Sequence, residues 1–276
     1  MKSVLYTHIW LSLIAIFLAF ESIELFPGID QSLCIALFAG TATLFAYNAH
    51  TLAVIYLKGV KNELTIWATK HIAVVWTFCT VGLTSSLYLL YFYITTNQII
   101  VLAVSVICWL LYEGYIIISS KQNQPILLKL PFIKNLTLAF VWLAITSILP
   151  ISKDGFKWIG NTDYLLILTV RYFTFFLVTI LFDYRDVSSD IITKVKTMPT
   201  KFGINATAYI GYIIAIMILF VLPFLQVQSY FVIIKIIQML MLFFFLRTRN
   251  NTSFQASMLL WDGVLILSPL TSFCIM

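Results

Sequence analysis

The chain has 276 residues, of which 61% are apolar, 16% aromatic and only 10% charged, and its mean hydropathy is +0.99. Such a composition excludes a soluble globular core and identifies a polytopic membrane protein. The net charge of +6 calls for no nucleic-acid partner, because the basic residues follow the charge bias expected of membrane loops.

From the N-terminus onward, apolar runs near the length that crosses hydrocarbon fall roughly at 7–26, 32–57, 70–94, 98–119, 135–151, 162–182, 204–226, 229–246 and 255–275. The runs are continuous rather than alternating, so they predict about nine transmembrane helices in an all-α fold and not the strands of a barrel. The first run has one lysine before it and no small-residue cleavage site after it, which predicts a retained helix instead of a signal peptide. No strong repeat, low-complexity tract or soluble domain interrupts the series, so residues 1–276 read as a single transmembrane domain.

Placing the N-terminus in the cytoplasm collects 13 of the 17 Lys and Arg residues on that side, from Lys2 through Arg249. The opposite side has Lys153 and Lys157, while Arg171 and Lys235 lie within spans. The positive-inside rule therefore predicts a cytoplasmic N-terminus and an external C-terminus, with the cell (inner) membrane as the expected location. The longer polar connections, Ser120 to Lys134 and Asp183 to Gly203, share the cytoplasmic face, where a membrane enzyme is expected to keep its chemistry.

Three of the seven aspartates fall within eight positions, in Asp183-Tyr-Arg-Asp-Val-Ser-Ser-Asp190. If the sixth helix continues past Phe182, Asp183, Asp186 and Asp190 stand at i, i+3 and i+7 and project from one narrow face, with Lys194 joining it. Like charges that close require a cation. Mg²⁺ fits the need, since it takes one or two carboxylates and completes its shell with water and phosphate oxygens. The alternative is a solvated loop whose charges pair with Arg185, Lys194 and Lys196. The lysines that follow, 194, 196 and 201, flank Thr197-Met-Pro-Thr200, and Gly203 ends the segment. Carboxylates for Mg²⁺ beside cations for phosphate are what a diphosphate needs; an ordinary positive-inside loop explains the same lysines.

Taken together, Asp183-Tyr-Arg-Asp-Val-Ser-Ser-Asp190, Lys196-Thr-Met-Pro and Lys201-Phe-Gly203 resemble the second aspartate-rich motif of the UbiA superfamily of intramembrane prenyltransferases. The resemblance implies a nine-helix bundle with this motif between the sixth and seventh helices. It further implies Mg²⁺-dependent transfer of a prenyl group from a polyprenyl diphosphate to an acceptor within the membrane. On that reading Asp183, Asp186 and Asp190 are the catalytic carboxylates, with the metal on Asp186 and Asp190. Asn48, Lys134, Arg185, Lys194 and Lys196 would bind the diphosphate. The superfamily's first motif is degenerate: in Tyr47-Asn48-Ala49-His50-Thr51-Leu52-Ala53-Val54-Ile55-Tyr56, Asn48 matches, while Ala49, Leu52 and Tyr56 replace carboxylates. A single ion helped by Asn48 and His50 then has to suffice, or the chain is a non-enzymatic scaffold or transporter, or a diphosphate-ionising cyclase of the same superfamily. His50 is open to three roles at this point: ligand, proton carrier or hydrogen-bond donor.

Lys134 opens the fifth span either toward the diphosphate or snorkelling to lipid headgroups. Glu113 and Arg171 are ionisable groups at membrane depth and are expected to be neighbours inside the bundle. Tyr172, Phe173 and Phe176, below the aspartates, are expected to line an isoprenoid tunnel. The four cysteines, Cys34, Cys79, Cys108 and Cys274, sit singly in separate spans and read as small buried hydrophobes. No phosphate-binding glycine loop, nucleophile elbow or zinc helix is present.

Overall fold

A computed structural model describes residues 2–26, 33–59, 62–118, 130–153, 155–193, 195–225, 229–248 and 253–269. The described residues are helical with no strand. Helices α1 (Lys2–Tyr6) and α2 (Ile9–Leu25) replace the single first run, because His8 takes the left-handed conformation at φ 60 and breaks it. Then come α3 (Leu33–Lys58), a short α4 (Glu63–Lys70), α5 (Ile72–Tyr93) and α6 (Thr96–Ile118). Asn62 starts α4 through a capping box with Thr65, which separates this amphipathic turn from the apolar α5.

Helix α7 (Ile133–Leu143) runs through a π-helical turn, Ala144–Ile148, into α8 (Leu149–Ile151). The widened turn has a use: Ser22 donates to the Thr146 carbonyl at 2.6 Å, so a polar group of α2 is satisfied inside the bundle. Helix α9 (Thr162–Thr193) has 32 residues, about 48 Å at 1.5 Å per residue, well beyond the ~30 Å of a hydrocarbon core. Helices α10 (Met198–Phe202), α11 (Ile204–Val221), α12 (Ser229–Thr248) and α13 (Phe254–Gly263) complete the chain.

Among the described residues, seven helical stretches are long and apolar enough to cross a membrane: Leu33–Leu57, Ile72–Tyr93, Thr96–Gly114, Ile133–Ile151, Thr162–Ser188, Ile204–Phe224 and Phe231–Thr248. The protein is an integral membrane protein. The remaining two expected spans correspond to α2, which has 17 residues, and to α13 with its continuation Val264–Ile266, beyond which description ends at residue 269.

The bundle closes around two tight crossings. A Cβ on Gly40 would lie 2.3 Å from the Ile16 side chain, and one on Gly82 would lie 2.7 Å from the Phe45 backbone nitrogen. Small residues here let α2 and α5 approach α3 at backbone distance, as membrane helices do when packing rather than the hydrophobic effect drives association. Hydroxyls fasten the same crossings, Ser12 to the Gly40 carbonyl at 2.8 Å and Ser86 to Thr41 at 3.1 Å.

Arg171 does not pair with Glu113. It is fully buried on α9 and forms an ion pair with Glu21 of α2, while donating to Ser22 and, at 2.8 Å, to Ser147. Glu21 also accepts from Ser268. An intramembrane charge is tolerated when it is matched and hydrogen-bonded, and α2 supplies the partner. Of the cysteines, Cys34, Cys79 and Cys108 are free, and Cys274 lies outside the described residues.

Candidate functional site

Because α9 continues to Thr193, the segment after Phe182 is helix where the sequence predicted a long connection. Asp183, Asp186 and Asp190 therefore do lie along one edge, within about 60° of each other at 100° per residue. Their surroundings differ. Asp183 is fully buried, and Lys134 of α7 donates to its Oδ1 at 2.8 Å, leaving Oδ2 buried without a partner. Lys134 is itself buried, so it points into the bundle and does not snorkel to the headgroups.

Asp186 is half-buried and meets Arg185 at 3.5 Å. The Arg185 guanidinium lies over the rings of Phe182, at 4.9 Å, and Phe254, at 5.4 Å, which fixes its direction. Asp190 is buried, and loss of solvation pushes its carboxyl up to about 7; Asp183 and Asp186 add to the rise, against the pull of Lys134 and a hydrogen bond from Thr197.

Lys196 is exposed beyond the helix, and Lys194 lies outside the described residues. The Thr197-Met-Pro-Thr200 stretch has a local structural role. Thr197 caps α10 in a capping box with Thr200, Pro199 occupies the first turn, and Gly203 at φ 85 ends it and starts α11. This turn brings Thr197 back against Asp190.

Asn48 does not join the aspartates. Its amide hydrogens are donated to the backbone carbonyls of Thr7 at 2.9 Å and Leu44 at 2.8 Å, so it clamps the chain where α1 breaks from α2. No N–H remains on that side chain for a diphosphate, while its Oδ1 is buried without a partner.

Two cavities meet beside these residues. The polar one, about 120 Å³, is lined by His8, Thr51, Asn62, Thr65, Arg185 and Asp186, among others. The apolar one, about 300 Å³, runs between α3, α5, α6 and α7 past Phe45, Leu83, Leu102, Trp109 and Ile145. Tyr47, His50, Tyr112 and Leu138 line both, so the two cavities are adjacent and have these four side chains between them. Tyr172, Phe173 and Phe176 line neither. Phe176 is buried in the main core, and Tyr172 packs edge-on against Phe173.

Glu113, expected beside Arg171, instead contacts His50, with Nδ1 2.9 Å from Oε1. Two contributors escaped the sequence. His8 reaches Thr51 at 3.0 Å, its ring tilted beside that of Tyr47 at 5.3 Å. Asp262 of α13 is buried and acts electrostatically on Arg185, a second carboxylate for that cation from a distant part of the chain. Hydropathy could have flagged Asp262, as an acid within the ninth span.

The candidate metal donors are few. The carboxylates come from α9, with Asp183 Oδ2 an orphaned buried oxygen among them, whereas Ala49, Leu52 and Tyr56 of α3 offer none. Among the described residues no three His, Cys, Asp or Glu side chains converge as a ready metal cage. An ion here would rely on water and phosphate oxygens for the rest of its shell, as Mg²⁺ does.

Neither protein-family models nor curated protein sequences match the chain. A solved structure from a study of digeranylgeranylglyceryl phosphate synthase in membranes aligns over 100% of this chain and 95% of its own, at TM-score 0.55 and 13% identity. The chain shares the all-helical fold of that solved structure.

Proposed function

We propose that the protein transfers a prenyl group from a polyprenyl diphosphate to an acceptor within the membrane, with Mg²⁺ as cofactor. The observation that carries this reading is a pair of adjacent cavities: a charged chamber with Arg185 and Asp186 in its wall shares four side chains with an apolar one of about 300 Å³, and we read those four as the passage between them. An amphiphile with an anionic head and a hydrocarbon tail matches both parts, and the apolar part alone reaches the lower range of small-molecule pockets.

On this reading Asp186 and Asp190, with Asp183 in support, hold one Mg²⁺, which when bound neutralises charge on the departing diphosphate. Arg185 holds diphosphate oxygens from within the chamber, positioned by the Phe182 and Phe254 rings. Lys134 holds Asp183 in place, and Lys194 and Lys196 add cationic charge beyond the helix. Tyr47 and Tyr112 flank the passage where the reactive carbon would sit, their ring faces able to stabilise an allylic cation. The apolar walls keep water from that carbon. We place the charged chamber on the cytoplasmic side, from the Lys and Arg bias of the loops.

The missing α3 carboxylates favour a second reading, a scaffold that kept the frame without the reaction. One experiment separates them. Purified protein incubated with labelled prenyl diphosphates and Mg²⁺ releases diphosphate if it is a transferase or a cyclase, and a chelator stops the release. Absence of release with every donor chain length sinks the enzymatic reading.

A further inference from the structure

The passage between the cavities contains a carboxylate–imidazole pair that diphosphate binding does not use. His50 Nδ1 lies 2.9 Å and 3.1 Å from the two oxygens of Glu113, joining α3 to α6. A carboxylate can only accept, so Nδ1 carries the hydrogen, and in the neutral ring Nε2 keeps its lone pair. Among the described residues Nε2 makes no hydrogen bond, and the ring lines both cavities with its side chain 26% exposed. The charged groups around it are Glu113 on α6, Arg185 and Asp186 on α9, and His8 ahead of α2. The arrangement is a base oriented by an acid, open to whatever occupies the passage.

A ring nitrogen oriented by an acid suits an acceptor that gives up a proton as it bonds to carbon. A neutral hydroxyl is such a group: its oxygen can attack an allylic C1, and the proton it carries must then pass to a base.

Resting on the prenyl-transfer reading above, we propose that His50 is the general base for an acceptor bearing a neutral hydroxyl group, with Glu113 as its positioning residue. As the acceptor oxygen bonds to C1 of the prenyl group, the C1–O bond to diphosphate breaks and its electron pair leaves on the diphosphate. The hydroxyl proton passes to His50 Nε2, and the imidazolium is held against Glu113 until water removes the proton. The products are a prenyl ether and diphosphate.

The test uses the full-length protein, a labelled prenyl diphosphate and three acceptors at about pH 8: glycerol, phenol and 4-nitrophenolate, the last mostly ionised there. Two products are scored, diphosphate released without acceptor and ether formed with each. His50→Gln is expected to keep acceptor-free release within about twofold of wild type, while ether formation with neutral hydroxyls falls by about 100-fold or more, the usual contribution of a general base. Glu113→Gln is expected to fall less, and 4-nitrophenolate to restore transfer in both variants, a rescue that a merely structural role would not give.

The proposal is overturned if His50→Gln prenylates glycerol or phenol at the wild-type rate, if 4-nitrophenolate is lost equally, or if acceptor-free release disappears with the transfer. It is overturned as well if the wild type releases diphosphate yet makes no ether with any hydroxyl acceptor. A wild type that releases no diphosphate at all refutes the prenyl-transfer reading itself. His50→Asn, compared by melting temperature with wild type, guards against loss of fold in the first variant.

Discussion

Replacing Lys134 by Met removes one half of an ion pair shut inside the bundle. The Nζ to Asp183 Oδ1 distance is 2.8 Å, and the two side chains are 10% and 0% exposed. Asp183 would then keep two buried oxygens without a partner, since Oδ2 already has none. Breaking a buried pair from one side typically costs about 3–5 kcal/mol, because the remaining charge loses its compensation. At about 2–4 °C per kcal/mol for a chain approaching this size, the melting temperature in detergent should fall by roughly 6–20 °C. Asp183→Asn in the same protein removes the stranded charge, so the double variant should melt well above Lys134→Met. A thermal double-mutant cycle reads the coupling directly. If Lys134→Met melts with the wild type, or the two changes add without coupling, the pair is not what holds α7 to α9 here.

Three further outcomes follow from the same packing. Glu21→Ala leaves Arg171 buried opposite Ser22 and Ser147 and should cost about 3–5 kcal/mol, read as loss of monodisperse protein on size-exclusion chromatography; an unchanged elution profile and melting point would contradict it. Gly82→Val puts a branched side chain where a lone Cβ is already 2.7 Å from the Phe45 backbone nitrogen, and should cost about 1–3 kcal/mol by overpacking, whereas Gly114→Val, where a Cβ meets open space, should not. Asp190 is held neutral by burial, with its carboxyl raised to about 7 from 3.8. In chelator the folded form binds its proton more tightly than the unfolded chain, so stability falls as pH rises from about 4 through about 7 and levels above it. Asp190→Asn should therefore gain stability relative to wild type between pH 5 and pH 8, and a constant difference across that range would be the wrong result.

The broad fold was legible because twenty-residue apolar runs have one outcome in hydrocarbon, a helix. The aspartate edge was legible for a similar reason, since the i, i+3, i+7 spacing acts only through helix geometry and α9 continues through Thr193. What escaped depends on contacts between distant residues or on single backbone angles. Hydropathy cannot see the break at His8 or the π turn at Ala144–Ile148. The motif resemblance linked Asn48 to the diphosphate, but the Thr7 carbonyl freed by that break takes its amide. Glu113 and Arg171 were expected to find each other as intramembrane charges; each instead found a partner contributed by another helix, His50 and Glu21. The expected tunnel below the aspartates is core packing at Phe176, and the open space lies along α3, α5, α6 and α7, where Leu83 and Ser86 line the wall.

The central claim is that one amphiphile spans both cavities, with its anionic head at Arg185 and Asp186 and its chain among Phe45, Leu83 and Trp109. A prenyl diphosphate analogue with a photoreactive group at the tail end, cross-linked and mapped by peptide mass spectrometry, tests it directly. The account predicts labels on α3, α5 or α6 at cavity-lining positions, competed by unlabelled prenyl diphosphate and lost in Arg185→Ala. Labels confined to lipid-facing residues such as Tyr91, Phe220 or Phe244, indifferent to competitor, would contradict it.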